Sequence, residues 1–600
     1  MKKLGILSFA LFIMLASTVR LSAQADTLAD IEELFDRYAR DIIVLNPEIA
    51  SELGVTEEMG FEIKKDALTD VSEQAIIREY GLMRAYNSWL ESYDRAELTS
   101  SQQLAADILS WYLNNRLQGE KFRHHPYIIN HMLGVHNALS TLMTEYHTIK
   151  TLKDAEDYIS RLGNFSDKFN QLMEGLKIRE EKGIIPPIFI IDKLDEVMSD
   201  FISVDVKENL LYASFKDRVE KLQNIDDKMK KRLYQDVEDN IKNHVYPSYR
   251  GFIAHLKKLQ EKATDDAGVW KLPNGNKYYE YCLRYHTTTT LSPEDIHQLG
   301  LKEVERIQNE MRELFASLGF TEGKTFGEIE TQYWQALKNE RDNRFRYPVT
   351  EEGREQALGD YQAIIDDVEK KILQLFSLIP KAQVIVKRVP KFKETTMGTY
   401  YEPPALDGSR EGIFYANLSH LPFKPGMKTL TYHEAIPGHH FQFAIERESP
   451  DHRMFRNLFF FTAYAEGWAL YAEKLAKEQD WYGDVYAKLG YLNSELFRAV
   501  RLVVDTGIHY KQWSRDRAYN YMLDNLGWGS YGQINRYCVW PGQACAYKIG
   551  ELKILELRER AKMELGEEFD IKEFHRVVLQ HGSVPLEILE RIVDEWIAGL

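Results

Sequence analysis

Cysteine is scarce in this chain of 600 residues, which contains only Cys282, Cys538 and Cys545. So few cysteines exclude the disulfide framework on which many small exported domains depend. Cys538 and Cys545 are seven residues apart, which is not the tight spacing of a cysteine metal pair, and we expect free thiols. No cysteine occurs near the N-terminus, so the sequence does not predict a lipid anchor there.

Positive charge is also in short supply. The chain has 76 Lys and Arg against 92 Asp and Glu, which gives a formal net charge of −16. A chain this acidic is poorly suited to bind nucleic acid or an anionic membrane surface, and we expect neither as a partner. With 44% hydrophobic and 28% charged residues, the composition is otherwise that of an ordinary globular protein.

Long apolar runs are missing after the first residues of the chain. Lys2 and Lys3 precede an apolar segment, 4–16, and small residues follow around Ala23. This pattern predicts a signal peptide, 1–25, that is removed on export to the periplasm or the medium. An uncleaved membrane anchor is the alternative, but the segment is shorter than the ~20 residues that a spanning helix needs. No stable membrane insertion is expected after cleavage.

Helical periodicity dominates the rest of the sequence, and repeats and low-complexity tracts are missing. The pattern changes at about 382–421, where β-branched and aromatic runs bounded by Gly and Pro are typical of short strands. We therefore predict a mainly α fold, a single large domain, 26–600, with one small β-sheet next to the candidate active-site helix. This domain would comprise a helical N-terminal lobe, 26–380, and a catalytic lobe, 381–600, with the sheet and the zinc helices.

The segment HEAIPGHHFQ, 433–442, carries the most specific chemistry in the chain. It begins like the zinc-peptidase pattern His-Glu-x-x-His, but Pro437 stands where the second histidine belongs. His433 and His439 are six residues apart, and on a regular helix they would point about 240° away from each other. Because Pro437 and Gly438 disfavour a regular helix, we predict a bulge that absorbs two residues and brings His439 to the metal. His440 would need three absorbed residues and is the alternative ligand.

A following helical segment, AEGWALYAE, 465–473, offers the missing acidic groups. A catalytic zinc takes three protein ligands and leaves one open position, and Glu466 is predicted as the third ligand after His433 and His439. Glu434 is predicted as the general base. Glu473 is predicted to accept a hydrogen bond from a ligand histidine. The alternative is a surface turn with a solvated glutamate face.

Two downstream segments and one strand supply the remaining candidates. In RAVRLVVDTGIH, 498–509, helical spacing places an aspartate and a histidine on one face, which predicts an oxyanion stabiliser supported by a carboxylate. A Pro-Gly turn with tyrosines and arginines follows and could bind a substrate carboxylate or the oxyanion. The strand 412–417 could hold an extended peptide by edge pairing. The residues concerned are His509, Asp505, Arg501, Arg536, Tyr537, Tyr547 and Asn417, and a buried ion network or the packing of a turn is the alternative for most of them.

Five segments in this order resemble the bacterial domain-of-unknown-function family 885. They are HEAIPGHHFQ, AEGWALYAE, RAVRLVVDTGIH, RYCVWPGQACAYKIG and FHRVVLQHGSVPLEIL. The resemblance implies a large α-helical body that is distantly related to the HExxH zinc peptidases, of gluzincin-like type. It favours His439 over His440, because in the family pattern the histidine directly after Pro-Gly is the constant one. This chain departs from the pattern at Gln533, where the family usually has an acidic residue.

Together these features predict an exported hydrolase that binds one Zn²⁺ per chain and cleaves short peptides. A zinc hydrolase of another amide or ester would use the same residues with a different pocket. A non-catalytic periplasmic binding protein with the same fold is the other alternative. An intact Glu434 argues against the binding protein, because a site that only holds metal does not need this side chain.

Overall fold

Helices dominate the structure, as predicted, and they surround one small three-stranded sheet. The computed structural model describes residues 30–599 except 133, 341–343, 392–393, 395–397 and 405–409. The predicted signal peptide, 1–25, lies outside the described residues. None of the described helices has the length and apolarity needed to cross a bilayer.

The helices before the sheet run from α1 to α15. They are α1 (Ile31–Leu45), α2 (Pro47–Leu53), α3 (Glu73–Glu91), α4 (Ser100–Gln118), α5 (Val135–Thr141), α6 (Leu152–Gly163), α7 (Phe165–Glu181), α8 (Ile188–Ser203), α9 (Leu210–Glu220), α10 (Asp227–Asn240), α11 (Tyr246–Gln260), α12 (Gly275–Thr287), α13 (Pro293–Ser317), α14 (Phe326–Lys338) and α15 (Glu351–Glu369).

The sheet and the remaining helices follow. The strands are β1 (Val384–Arg388), β2 (Tyr400–Glu402) and β3 (Gly412–Ala416). The helices after them are α16 (Lys424–Glu434), α17 (His439–Glu448), α18 (Thr462–Glu478), α19 (Val485–His509), α20 (Arg515–Leu526), α21 (Tyr531–Val539), α22 (Gln543–Leu565), α23 (Ile571–Leu579) and α24 (Leu586–Ala598).

Short polar side chains begin many of these helices. Thr151 and Ser292 each accept a hydrogen bond from a backbone N–H in the first turn, and Asp154 and Asp295 bond back to the capping residue. These capping boxes satisfy backbone donors that the helix itself leaves unpaired. The entry to α13 that the Ser-Pro-Glu-Asp sequence indicates is therefore formed.

The strand β3 lies in the middle of the sheet. It pairs in parallel with β1, from Val384 opposite Gly412 to Arg388 opposite Ala416, and antiparallel with β2 on its other side. Both sides of β3 are therefore occupied by neighbouring strands. The expectation that a peptide pairs with an edge at 412–417 is wrong for this reason.

The apolar side chains of the described residues form one large core, a smaller separate one and a minor cluster of Ile43, Ala50 and Val55. The large core includes residues from α1 through α24, and so it spans both predicted lobes, 26–380 and 381–600. The second core is built within 129–259, from α5 to α11. The three cysteines are free and buried, as predicted.

Close helix packing brings the C-terminal elements together. Helix α18 packs along α22, while α19 packs against α13 and α16. A Cβ atom on Gly467 would lie 2.5 Å from the backbone of Gly550, so the two glycines let α18 and α22 touch through their backbones. This contact sets Glu466, at the start of α18, beside the first turns of α22.

Candidate metal centre

The histidine segment is an interruption between two helices. Helix α16 ends at Glu434, α17 begins at His439, and the linking Ile436–Pro437 peptide bond is cis. A Cβ atom on Gly438 would lie 1.9 Å from the carbonyl oxygen of His433, so only glycine allows this turn. The predicted bulge within a continuous helix is therefore wrong, although the break still sets both histidines on one side.

Three side chains converge at this break. His433 Nε2 lies 3.3 Å and His439 Nε2 lies 3.7 Å from Glu466 Oε2, and all three atoms are within 4.8 Å of one another. Ligand atoms held tetrahedrally at 2.0–2.2 Å from zinc would be roughly 3.3–3.6 Å apart. The spacing of the three atoms therefore fits a single metal ion.

Unsatisfied polar atoms at the cluster also fit a metal ion. Glu466 Oε2 is buried and has no hydrogen-bond partner, although nearly all buried polar atoms in folded proteins have one. Burial alone would raise the pKa of Glu466, but His433 and His439, with the Tyr547 hydroxyl, lower it to about 2. A buried, ionised carboxylate oxygen that faces two imidazole nitrogens is the arrangement that a cation completes.

Glu473 orients the first histidine from behind. His433 Nδ1 lies 2.7 Å from Glu473 Oε1, and Glu473 is only 1% exposed. Because Nδ1 is bound to Glu473, Nε2 is the nitrogen that faces the cluster, as in carboxylate–histidine–metal triads. Burial would lower the pKa of His433, but the Glu466 and Glu473 carboxylates outweigh it and raise the pKa to about 10.

Glu434 lies beside the cluster at the end of α16. Its side chain is 8% exposed, and burial raises its pKa to about 7. The charges of His433 and Arg498 pull this pKa down, while Glu466 pushes it up. A carboxyl group with a pKa near 7 can take up and release a proton at neutral pH.

His440 is turned away from the three candidate ligands. Its Nε2 lies 3.1 Å from the Ala382 carbonyl oxygen and its Nδ1 lies 2.9 Å from the Tyr401 hydroxyl. Both ring nitrogens are therefore used to attach α17 to the sheet. Of the two histidines, the structure places His439 at the cluster.

His509 and Asp505 do not form the predicted oxyanion pair. His509 is fully buried, and its ring nitrogens bond to the backbone N–H of Val269, at 3.1 Å, and to the Tyr537 carbonyl, at 3.0 Å. Asp505 accepts hydrogen bonds from the Tyr279 hydroxyl, at 2.6 Å, and the Gly542 N–H, at 3.0 Å. The assignment of His509 as oxyanion stabiliser is corrected, because its only N–H donates to a backbone carbonyl.

These two residues instead hold the elements that approach the cluster. His509 binds the end of α21, and Asp505 binds the turn that starts α22. The two helices bring Arg536 and Tyr547 together, with Arg536 Nη2 3.4 Å from the Tyr547 hydroxyl. Tyr547 is in turn one of the groups that lower the pKa of Glu466.

The remaining predicted residues, Arg501, Tyr537 and Asn417, have different surroundings. Arg501 stacks on the Tyr547 ring, with its guanidinium carbon 4.6 Å from the ring centre. The hydroxyl of Tyr537, which is 1% exposed, lies 3.4 Å from Gln533 Oε1. Asn417 donates from its amide to the Glu394 carbonyl and so supports the turn after β3, which leaves no sign of a substrate role.

Sequence reasoning assigned no role to three contributors to the site. Arg498 Nη2 lies 3.6 Å from Glu473 Oε1, one helical turn before Arg501. The Phe443 ring lies 5.9 Å from that of His439, and Phe460, which is 56% exposed, stacks on Phe443. The position of Phe443, four residues after His439, was a helical-spacing signal for this aromatic side of the site.

Comparisons with known proteins cover nearly the whole chain. The family described as "Bacterial protein of unknown function (DUF885)" matches residues 47–593. A "putative lipoprotein" from Colwellia psychrerythraea has 32% sequence identity and a TM-score of 0.88, over 95% of this chain and 99% of that one. A "putative lipoprotein of unknown function" from Shewanella oneidensis has 18% identity and a TM-score of 0.73, over 94% and 99% of the chains, and so shares the fold. No curated protein matches the sequence.

Proposed function

Because the chain belongs to the bacterial family of unknown function DUF885, whose description assigns no activity, we propose a function from its own site. The protein is an exported zinc-dependent peptidase that hydrolyses short peptides. The observation that carries this proposal is the convergence of His433, His439 and Glu466, with the unpaired Oε2 of Glu466 between the imidazoles.

The donor set suits zinc, with two imidazole nitrogens, one carboxylate oxygen and room for a fourth ligand. A zinc ion there would acidify water and polarise a carbonyl group. Glu473 would hold His433 in the tautomer that binds metal. Arg498 Nη2 lies 3.6 Å from Glu473 Oε1 and helps to hold this carboxylate in position.

Glu434 is the proposed general base. It takes a proton from the attacking water while the water oxygen bonds to the carbonyl carbon of the peptide. Glu434 then gives the proton to the leaving nitrogen, the C–N bond breaks, and a carboxylic acid and an amine are released. Negative charge forms on the carbonyl oxygen in between, and the Tyr547 hydroxyl, rather than His509, is the donor proposed to meet it.

Export and substrate size rest on separate observations. The charged, apolar and small residues of 1–25 have the order of a signal peptide, and both solved relatives are described as a "putative lipoprotein". His433 and His439 are 5% and 8% exposed, and ligands this buried favour short, flexible substrates over folded proteins.

Metal content tests the first part of the proposal. Protein purified without a His-tag should carry about one zinc per chain by mass spectrometry, and His439→Ala should lose it. The neighbouring His440→Gln is the matched control and should keep its zinc, because His440 bonds to Tyr401 and Ala382. A wild-type protein that takes up no metal when zinc is supplied would contradict the proposal.

Turnover tests the second part. A library of short peptides should be cleaved by the wild type, and Glu434→Gln should retain zinc but lose about 10²–10⁴-fold in rate. Esters and non-peptide amides belong in the same screen. Hydrolysis of these compounds without peptide cleavage would keep the metal site but replace the peptidase assignment.

A further inference from the structure

Arg501 is a buried cation, and the Glu466 carboxylate acts on it only from beyond ion-pair distance. Its side chain is 6% exposed, and its guanidinium carbon lies 4.3 Å from the Phe497 ring centre and 4.6 Å from that of Tyr547. No carboxylate of the described residues forms an ion pair with it, and its Nε has no hydrogen-bond partner. Tyr537 is its hydrogen-bonding neighbour.

Arg536 approaches the same tyrosine from the other side. Its Nη2 lies 2.7 Å from Gln543 Oε1 and 3.4 Å from the Tyr547 hydroxyl. Its Nε is also without a hydrogen-bond partner, and among the described residues no carboxylate pairs with it. Two guanidinium groups with open donors therefore flank Tyr547.

Two other buried arginines have their donors satisfied within the chain. Arg161 donates to the carbonyls of Ala67 and Pro47 and to the Ser51 hydroxyl, while Arg179 donates to three backbone carbonyls. An unpaired buried charge costs several kcal/mol. Arg410 and Arg560 also have an open nitrogen, but each forms an ion pair with a glutamate. In a chain with a net charge of −16, the open donors of the buried Arg501 and the half-buried Arg536, which have no such ion pair, indicate an acidic group that arrives with a ligand.

The position of the two arginines identifies the ligand. Tyr547 lies between the two arginines and the candidate metal centre. Arg501 stacks on its ring, and its hydroxyl forms a hydrogen bond with the Glu466 carboxylate. The anion site is therefore about one tyrosine side chain from the cluster. An extended peptide covers about 3.3–3.6 Å per residue, so an anion bound there lies one or two residues from the bond at the metal.

We propose that Arg501 and Arg536 bind the free C-terminal carboxylate of the substrate, so that the enzyme releases one or two residues from the C-terminus of a peptide. This inference rests on the function proposed above. The planar guanidinium fork matches a carboxylate, and charged hydrogen bonds of this kind are among the strongest in proteins. Water is consumed, the shortened peptide ends in a new carboxylate, and the released piece receives the proton on its nitrogen.

Calorimetric binding to the zinc-loaded Glu434→Gln protein tests the inference without turnover. The probes are acetyl-Ala-Ala with a free carboxylate, its C-terminal amide, and acetyl-Ala-Glu amide. The free acid should bind about 10–100-fold more tightly than the amide. Adding Arg501→Gln or Arg536→Gln should reduce this ratio below about 3-fold, and Arg501→Lys should restore part of it.

Two binding results would overturn the inference. Equal affinity for the free acid and the amide would show that the arginines do not read a carboxylate. Tight binding of the Glu-containing amide would show that they read an acidic side chain instead of the C-terminus. Thermal unfolding of each variant confirms that the protein is folded before its binding is compared.

Hydrolysis by the wild type separates this inference from the proposed function. Cleavage of a free-acid peptide about 10-fold or more faster than its C-terminal amide, with the difference mainly in KM, supports both. Equal cleavage of acid and amide contradicts only the carboxylate site. An absence of cleavage and of zinc contradicts the proposed function, while the calorimetric preference for the free acid would still be measurable on the wild type.

Discussion

Two groups of charges lie around helices α19 and α22, and they differ in how fully their polar atoms are paired. In the first group, Lys548 Nζ lies 2.8 Å from both Glu495 Oε1 and Glu551 Oε2 and 3.2 Å from Glu303 Oε2. Arg306 also bonds to Glu495. In the second group, around the candidate metal centre, Glu466 and the neighbouring arginines have polar atoms without partners.

This difference separates a structural network from a binding site. Lys548 forms ion pairs with carboxylates of the same chain, and within that group only Glu495 Oε2 has no hydrogen-bond partner. Near the candidate centre, Glu466 Oε2, Arg501 Nε and Arg536 Nε are all left open. A ligand or ion is one of the partners that can complete such buried groups. A substitution should therefore destabilise the protein in the first group and not in the second.

The largest expected effect is on the closed network. Lys548→Met should lower the free energy of unfolding by about 3–5 kcal/mol, because Glu551 would lose its ion-pair partner in the protein interior and Glu495 would keep only Arg306. Urea unfolding followed by circular dichroism measures this loss. Zinc content should stay at the wild-type level in the folded variant, since Lys548 does not contact the metal cluster.

An exposed ion pair provides the control for Lys548. Lys221 pairs with Asp217, and their side chains are 71% and 68% exposed. Lys221→Met should change stability by less than about 1 kcal/mol. If the two variants lose the same stability, the network on α19 and α22 contributes no more than a surface pair.

Asp505 gives the next effect, which depends on pH. Burial raises the pKa of Asp505 to about 7 in the folded protein, whereas an unfolded aspartate titrates near 3.9. The folded state therefore holds this proton more tightly, and the contribution of Asp505 to stability is full at low pH and is lost as pH rises from about 4 to about 7. Asp505→Asn does not ionise and should remove this loss.

Unfolding curves between about pH 4 and pH 7 test whether stability changes with pH in this direction. The free energy of unfolding of Asp505→Asn relative to wild type should rise with pH by up to about 1.4 kcal/mol per unit, and level off above about pH 7. Parallel stability profiles for the two proteins would show that Asp505 is ionised in the folded state throughout. The hydrogen bond from Gly542 can still be accepted by the asparagine oxygen.

The sequence predicted the mainly helical fold and the grouping of His433, His439 and Glu466, because residue chemistry and helical spacing are local signals. It did not predict how the histidine segment breaks. Whether Pro437 and Gly438 bulge a helix or end it depends on tertiary contacts, such as the bond from Trp468 to the Pro437 carbonyl at 2.8 Å. The central position of β3 likewise depends on pairing with strands on both sides.

The error at His509 has the same origin. Its four-residue spacing from Asp505 on a helix is that of a functional pair, and the spacing itself is real. The hydrogen-bond partner of His509 Nδ1 is the backbone of Val269, 240 residues away in the sequence. A single sequence carries no signal for that contact, so local spacing alone suggested a role that the backbone contacts exclude.

Glu473 has one oxygen that is paired with His433 and Arg498 and one that has no hydrogen-bond partner. A smaller effect is expected from its substitution. Glu473→Gln should weaken zinc binding by about 10–100-fold, because the charge that orients His433 is removed while the side-chain shape is kept. Competition with a chelator measures the affinity. Glu478→Gln, on the same helix but paired with Arg558, is the control and should bind zinc as the wild type does; equal weakening in both would contradict the role of Glu473.

Substitution of Arg501 should change stability least. Whether stability rises or falls is the sharpest test of the difference between the two groups of charges. Arg501→Met removes a buried charge that has no carboxylate partner, so without ligand it should leave stability unchanged or raise it by about 1 kcal/mol, after the loss of its ring contacts. Arg161→Met is the matched control, because Arg161 is fully buried but donates to backbone carbonyls. Those carbonyls would lose their donors, and this variant should be clearly destabilised. Thermal unfolding of both measures the contrast, and an equal loss of stability would mean that Arg501 already has its partners within the chain, so that no ligand carboxylate is needed to complete the site.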